Sequence, residues 1–184
     1  MNILGTHDTS RILTVLGGIY CKNKEEMAQK NAYLSKKEKE SAINKLKMAV
    51  VLQYTMPGVP CVYYGDENAM EGHIDPFCRR CFDWDNLNED LIEFYSKLGK
   101  IREKYRNILA DGDFYEIIAK DGLFYYKRVK NNSEIYVCTN NSSKSYSLKI
   151  SEKFIDCLNG NIFDDNIVIK PNSYQIFIKE KLSK

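Results

Sequence analysis

The sequence predicts an α/β segment followed by an all-β domain, and three observations carry that expectation. Two long stretches with apolar residues at three- and four-residue steps, roughly 36–54 and 89–105, alternate with short apolar runs that read as strands. Strand and helix in alternation build a parallel sheet. After Asn107 the period changes to short aromatic and β-branched runs separated by turns, the pattern of an antiparallel β-sandwich. A length of 184 residues accommodates one or two small domains.

The first run, Ile3-Leu4, ends at Gly5, and Thr6-His7-Asp8-Thr9-Ser10-Arg11 follows at once. In α/β barrels the active site lies where strands end and loops begin. A His-Asp dipeptide there either touches a ligand or is a loop His beside an Asp that caps the next turn. Ile12, Leu13, Val15 and Leu16 read as a short helix stopped by Gly17-Gly18, and the charged stretch Lys22–Lys30 as a solvated face. Ser35 and Glu38 have capping-box spacing at the start of the first long helix, whose face is Ala42, Leu46, Ala49, Val50 and Gln53. Pro57-Gly58 ends it, and Cys61–Tyr64 reads as a buried strand. Residues 65–87 form a long loop, rich in acidic and aromatic side chains, of the kind that is usually functional. Its Phe82 and Trp84 either stack on a ligand or pack under the loop, the commoner fate of such aromatics. The second long helix carries Leu91, Phe94 or Tyr95, Leu98, Ile101 and Tyr105. Strands are expected at 114–119, 123–129, 134–140, 146–150, 154–157, 166–169 and 174–179. Asn131, Asn140 and Asn141 each open an Asn-x-Ser sequon and read as turn composition.

Composition excludes several classes. A hydrophobic content of 43%, a charged content of 28% and a net charge of +2 are ordinary, and make no case for nucleic acid or a membrane surface. No run reaches the roughly 18 apolar residues of a membrane span, and the first residues lack the pattern of a secretion signal. The six cysteines, at 21, 61, 78, 81, 138 and 157, therefore read as free thiols in a reducing, cytoplasmic compartment. Cys78-x-x-Cys81 has no second Cys or His pair to complete a zinc site, so neither metal nor cofactor is expected. A metal-dependent phosphohydrolase built on His7-Asp8 needs more His and Asp ligands, and the only other histidine is His73.

In order and spacing, these segments resemble the C-terminal part of the α-amylase family of glycoside hydrolases, and within it the neopullulanase, cyclomaltodextrinase and maltogenic amylase members. The family's seventh barrel strand ends in His-Asp, matched by His7 and Asp8. Its eighth carries Gly-x-Pro-x-x-x-Tyr-Gly-x-Glu, matched by Gly58, Pro60, Tyr64, Gly65 and Glu67. Where Cys81 stands, the resembling proteins usually carry Pro. The resemblance implies the last two βα units of a TIM (β/α)8 barrel, strands seven and eight with their helices, over residues 1–108. A β-sandwich C-terminal domain over 109–184 completes the expectation.

It also implies function. Retaining hydrolysis of an α-1,4 or α-1,6 glucosidic bond needs a nucleophile and an acid/base carboxyl about 5–5.5 Å apart. The family adds a third carboxylate beside the sugar ring, and by resemblance Asp8 is that one, a transition-state stabiliser. His7 is expected to bond the same sugar, and Arg11 either orients Asp8 or braces the loop. Asp75 and Arg79 resemble a pair that holds a glucose unit, a carboxylate and a forked guanidinium being suited to sugar hydroxyls. A pair that only braces the loop is the other reading. Glu67 is expected to hold the strand-end loop. The family's nucleophile and acid/base lie N-terminal to the matched stretch, so this chain is expected to be catalytically incomplete. The alternative is a fragment that binds malto-oligosaccharide, or a partner, without catalysis. Self-association through an unclosed partial barrel is a further expectation.

Overall fold

The computed structural model describes residues 1–20 and 33–179, so the charged stretch Lys22–Lys30 lies outside the described residues. The chain forms two compact units, residues 1–53 with 59–96 and residues 54–58 with 97–184.

The first unit is built on a pair of parallel strands. β1 (Asn2–Ile3) lies beside β2 (Pro60–Cys61) in the register Asn2↔Pro60 and Ile3↔Cys61. Between them in sequence run α1 (Ile12–Leu16) and α2 (Lys36–Thr55). The capping box forms as its spacing requires: Ser35 N–H donates to Glu38 Oε2 at 2.8 Å and Glu38 N–H to Ser35 Oγ at 3.4 Å. These bonds to Ser35 hold the Glu38 carboxyl below its ordinary range. Ala42, Leu46, Val50 and Gln53 of α2 are buried, as the three- and four-residue steps demand. Gln53 does more than pack. Its Nε2 donates to Asn2 O at 3.1 Å and to Cys61 O at 2.9 Å, so one carboxamide clasps both strands. α3 (Glu89–Lys104) begins at Asn88, whose Oδ1 accepts from Leu91 N–H at 3.0 Å, an N-cap bond.

The expected buried strand Cys61–Tyr64 is corrected. β2 covers only Pro60–Cys61, and Cys61, Val62 and Tyr64 are exposed together with Val59 and Ile3. A strand is buried when it has neighbours on both edges and layers on both faces. Here the sheet holds two strands, so sequence hydrophobicity alone overstated the burial.

The second unit contains α4 (Arg106–Asp111) and eight strands: β3 (Asp113–Lys120), β4 (Leu123–Lys130), β5 (Ser133–Asn140), β6 (Tyr146–Lys149), β7 (Phe154–Asp156), β8 (Ile162–Phe163), β9 (Asn166–Ile169) and β10 (Ser173–Lys179). Every pairing is antiparallel, in a six-stranded sheet of order β3-β4-β5-β10-β7-β8 and a two-stranded sheet β6-β9. The seven expected strands are all present, and β8 is an eighth that its two-residue length hid. Asp121 and Gly122 both have positive φ, 52° and 83°, the two-residue hairpin turn that Asp-Gly encodes. Leu123, Tyr136, Cys138, Phe154 and Phe177 of the large sheet share one core with Ile167 and Ile169 of the small one. The two sheets therefore face each other as an uneven sandwich. Asn140 is fully buried, donating to Lys144 O at 2.7 Å and Lys170 O at 2.9 Å, which leaves its sequon no accessible acceptor.

The compact units divide at 96/97, so the second half of α3 goes with the β-strands. The hydrophobic period sees only where helix gives way to strand. The fold sees that Ile101 and Tyr105 of α3 line one groove with Ile155 and Ile178, and that α4 packs against β4 and β5. The end of α2 belongs to this unit too. Its terminal carbonyls are satisfied by side chains rather than by further helix: Arg128 Nη1 donates to Thr55 O at 3.0 Å, and Arg102 Nη2 to Gly58 O at 2.7 Å. Among the described residues no helix is long and apolar enough to cross a membrane.

Candidate functional site

Past the end of β1, the polar residues form a tight turn. Thr6 N–H donates to Thr9 Oγ1 at 2.9 Å, and Asp8 N–H to Thr6 Oγ1 at 3.2 Å, which holds the backbone of the turn at Asp8. Both Asp8 oxygens are engaged. Oδ2 lies 3.1 Å from His7 Nε2, and Oδ1 accepts from Arg79 Nη2 at 3.0 Å. The Asp8 side chain is nevertheless 67% exposed, so the carboxylate is oriented and open to solvent at once. Arg79 Nε donates to His7 O at 2.9 Å and sits 3.0 Å from Asp75 Oδ1. One guanidinium thus ties Asp8 to Asp75 across a gap of some seventy residues in sequence. His7, Asp8, Asp75 and Arg79 come together in one cluster of acceptors and donors.

Arg11 does not join them. It is 1% exposed and lies beneath the loop, where its Nε donates to Cys78 O at 2.9 Å. Its Nη1 donates to Tyr64 O and lies 3.2 Å from Asp66 Oδ1, while the rings of Tyr63 and Tyr64 stand 4.2 and 4.6 Å from the guanidinium carbon. Three partners and two rings enclose Arg11, the geometry of a brace for the loop, and none of them is Asp8. Sequence reasoning missed those partners. Cys78 is buried, and its Sγ donates to His7 O at 3.0 Å, so half of the Cys-x-x-Cys pair is a brace for the His7 loop. Glu67 Oε2 is buried without a hydrogen-bond partner. Asn68 pins the loop, with Nδ2 donating to Asp83 O at 3.0 Å and Oδ1 accepting from Asn88 N–H at 2.6 Å. Nothing in the residue order distinguishes Asn68 from any loop asparagine.

Burial pushes the Asp66 carboxyl up to about 6 although Arg11 lies beside it. The guanidinium contact is single and shared with a carbonyl, and it does not offset loss of water. An acid whose folded pKa is raised gives its full stability below the unfolded value of 3.8 and loses it as pH rises through about 6. The shift corresponds to at most roughly 3 kcal/mol. Urea unfolding of the wild type is therefore expected to lose more stability between pH 4 and 7 than Asp66→Asn does. Parallel pH profiles for the two proteins overturn the assignment.

No family model matches the chain. In sequence and fold the chain is nonetheless similar to glycoside hydrolases of the α-amylase type. Over 97% of its length it superposes on 37% of an α-amylase from Anoxybacillus, with a TM-score of 0.75 at 23% identity, a likeness of fold. It superposes on a maltogenic amylase from S. marinus with a TM-score of 0.69 at 28% identity, covering 95% of this chain and 22% of that one. In sequence it is 34% identical over 153 residues to a cyclomaltodextrinase of Thermoanaerobacter pseudethanolicus, covering 82% of this chain and 22% of that protein. Further relatives are named amylopullulanase, maltogenic alpha-amylase and neopullulanase. The particular likeness is thus to the cyclomaltodextrinase, maltogenic amylase and neopullulanase kind, and the chain spans about a quarter of such proteins.

Proposed function

We propose that the chain supplies part of the sugar-binding and transition-state machinery of an enzyme acting on α-1,4 and α-1,6 glucosidic bonds. The observation that carries the proposal is Arg79 held at 3.0 Å from both Asp8 and Asp75 on an open surface at the strand ends. An aligned carboxylate, a fork of donors and a second carboxylate are what glucose hydroxyls pair with. Asp8 stabilises positive charge at the ring as the bond breaks. His7, Asp75 and Arg79 hold the sugar. The parallel pair β1–β2, with α2 and α3, forms the last two βα units of a (β/α)8 barrel. Exposure of Ile3, Val59 and Val62 supports this, because such side chains are covered when a parallel sheet continues. Exposed free thiols at Cys61 and Cys81 fit a reducing, cytoplasmic setting.

The covalent chemistry needs two further carboxyls flanking the bond. The cluster offers Asp8 and Asp75, and Asp75 is tied to the guanidinium that the sugar uses. The purified 184-residue chain is therefore expected to release no reducing sugar from maltodextrins, pullulan or cyclodextrins. It is expected to bind maltoheptaose weakly, seen as amide shifts at His7, Asp8 and Arg79. Turnover by this chain overturns its catalytic incompleteness, and unshifted amides overturn the α-glucan reading.

A further inference from the structure

Trp84 is 75% exposed, the most exposed of the described large apolar side chains apart from Met1. Packing under the loop, the usual fate of such a residue, is not what it does. Its ring stands 4.5 Å from that of Phe82 at 48°, so two aromatics share one surface. The turn that carries them is held firmly. Asp83 Oδ1 accepts from Asn86 N–H and Asn86 Nδ2, each at 3.2 Å, while buried Asn68 pins Asp83 O at 3.0 Å. A flexible loop tip needs none of these bonds, and an exposed tryptophan costs apolar burial that a monomer otherwise gains.

Asp83 and Asn86 of the same turn line a cavity of about 500 Å³ together with Tyr33, Arg80 and Cys81 among others. Its walls are polar, and they are organised. Arg80 Nη1 donates to Tyr33 OH and Nη2 to Glu71 O, each at 2.8 Å, its guanidinium lies 5.2 Å from the Tyr33 ring centroid, and its carbonyl accepts from Tyr64 OH at 2.8 Å; these bonds aim the guanidinium, whose remaining N–H groups can donate. A pyranose has an apolar C–H face and a rim of hydroxyls. The exposed Trp84 ring offers a flat face for the first, and the cavity that its turn adjoins offers a guanidinium, a carboxylate and a carboxamide for the second.

We propose that the turn at residues 82–86 and the adjoining cavity form a second α-glucan contact, with Trp84 as stacking platform and Arg80 as hydroxyl donor, separate from the His7–Asp8–Arg79 cluster. The inference rests on the α-glucan reading above, and assigns to the chain a second place where the glucan is held.

Trp84 is the only tryptophan of the sequence, so its fluorescence reports this site alone. Titration of the whole chain with maltoheptaose is expected to change that fluorescence saturably, and titration with β-linked cellotetraose to leave it unchanged. Trp84→Ala, which removes a solvent-facing side chain and keeps the circular dichroism of the wild type, is expected to weaken maltoheptaose binding followed by amide shifts about tenfold. Arg80→Ala is expected to reduce the fluorescence response. Silent Trp84 fluorescence with shifting His7, Asp8 and Arg79 amides overturns this inference and leaves the function reading standing. Unchanged affinity in Trp84→Ala, or an equal response to cellotetraose, also overturns it. Silence at both places overturns both.

Discussion

Asp8→Asn in a full-length enzyme carrying this segment is expected to lower kcat by roughly a thousandfold or more while KM moves little, the size of effect seen when a group that stabilises transition-state charge is lost. The argument is one of timing. In the resting site Asp8 spends both oxygens on His7 and Arg79, and an asparagine can still accept from Arg79 Nη2 through its own oxygen. Ground-state sugar contacts therefore survive the change. In the role proposed for Asp8, the positive charge that grows on the sugar ring as the bond breaks meets a carboxylate in the wild type and a neutral amide in the variant. An interaction stronger in the transition state than in the bound substrate appears in kcat rather than in KM. Arg79→Lys should do the opposite. It keeps a charge but loses the fork that reaches Asp8, Asp75 and His7 O together, so a rise in KM is expected. Steady-state kinetics on maltodextrin decide the matter, and near-normal kcat in Asp8→Asn removes Asp8 from the chemistry.

Arg11→Ala is expected to destabilise the chain by roughly 3–5 kcal/mol, the usual cost of removing one partner of a buried charge pair. The side chain is 1% exposed, and its loss strands the Cys78 and Tyr64 carbonyls and the Asp66 carboxylate in a place water does not reach. It also removes the cation held against the rings of Tyr63 and Tyr64. The backbone is involved as well: Arg11 N–H donates to Gly72 O at 2.8 Å, and Gly72 N–H to Thr14 Oγ1 at 2.9 Å. These bonds join the start of α1 to the loop that presents Arg79. Arg11→Lys is expected to recover only part of the loss, since an ammonium cannot meet partners in three directions from one plane. Urea unfolding of the three proteins tests this. A loss under about 1 kcal/mol for Arg11→Ala, the size expected of a surface ion pair, refutes the bracing role.

Much of the architecture was legible in the residue order because its causes are local. The capping box at Ser35 and Glu38, the stripe of α2, the Asp121-Gly122 hairpin and the strand periods each depend on neighbours within about ten positions. The stretches that supply the His7, Asp8, Asp75 and Arg79 cluster stood out too, since polar residues gather where apolar runs stop. Which of those residues meet did not. Arg79 reaches Asp8 across seventy-one positions, Arg11 reaches Cys78 across sixty-seven, and Asn68 holds a turn fifteen to twenty positions on. Such pairings depend on how the backbone of one loop lies over another, and no spacing rule encodes that. The same reason separates Arg11 from Arg79: by composition both are arginines near an aspartate, and only depth made one a brace and the other a donor. Trp84 shows it in reverse. Its residue type favours burial, and the tertiary structure, by pinning its turn through Asn68, left it facing solvent.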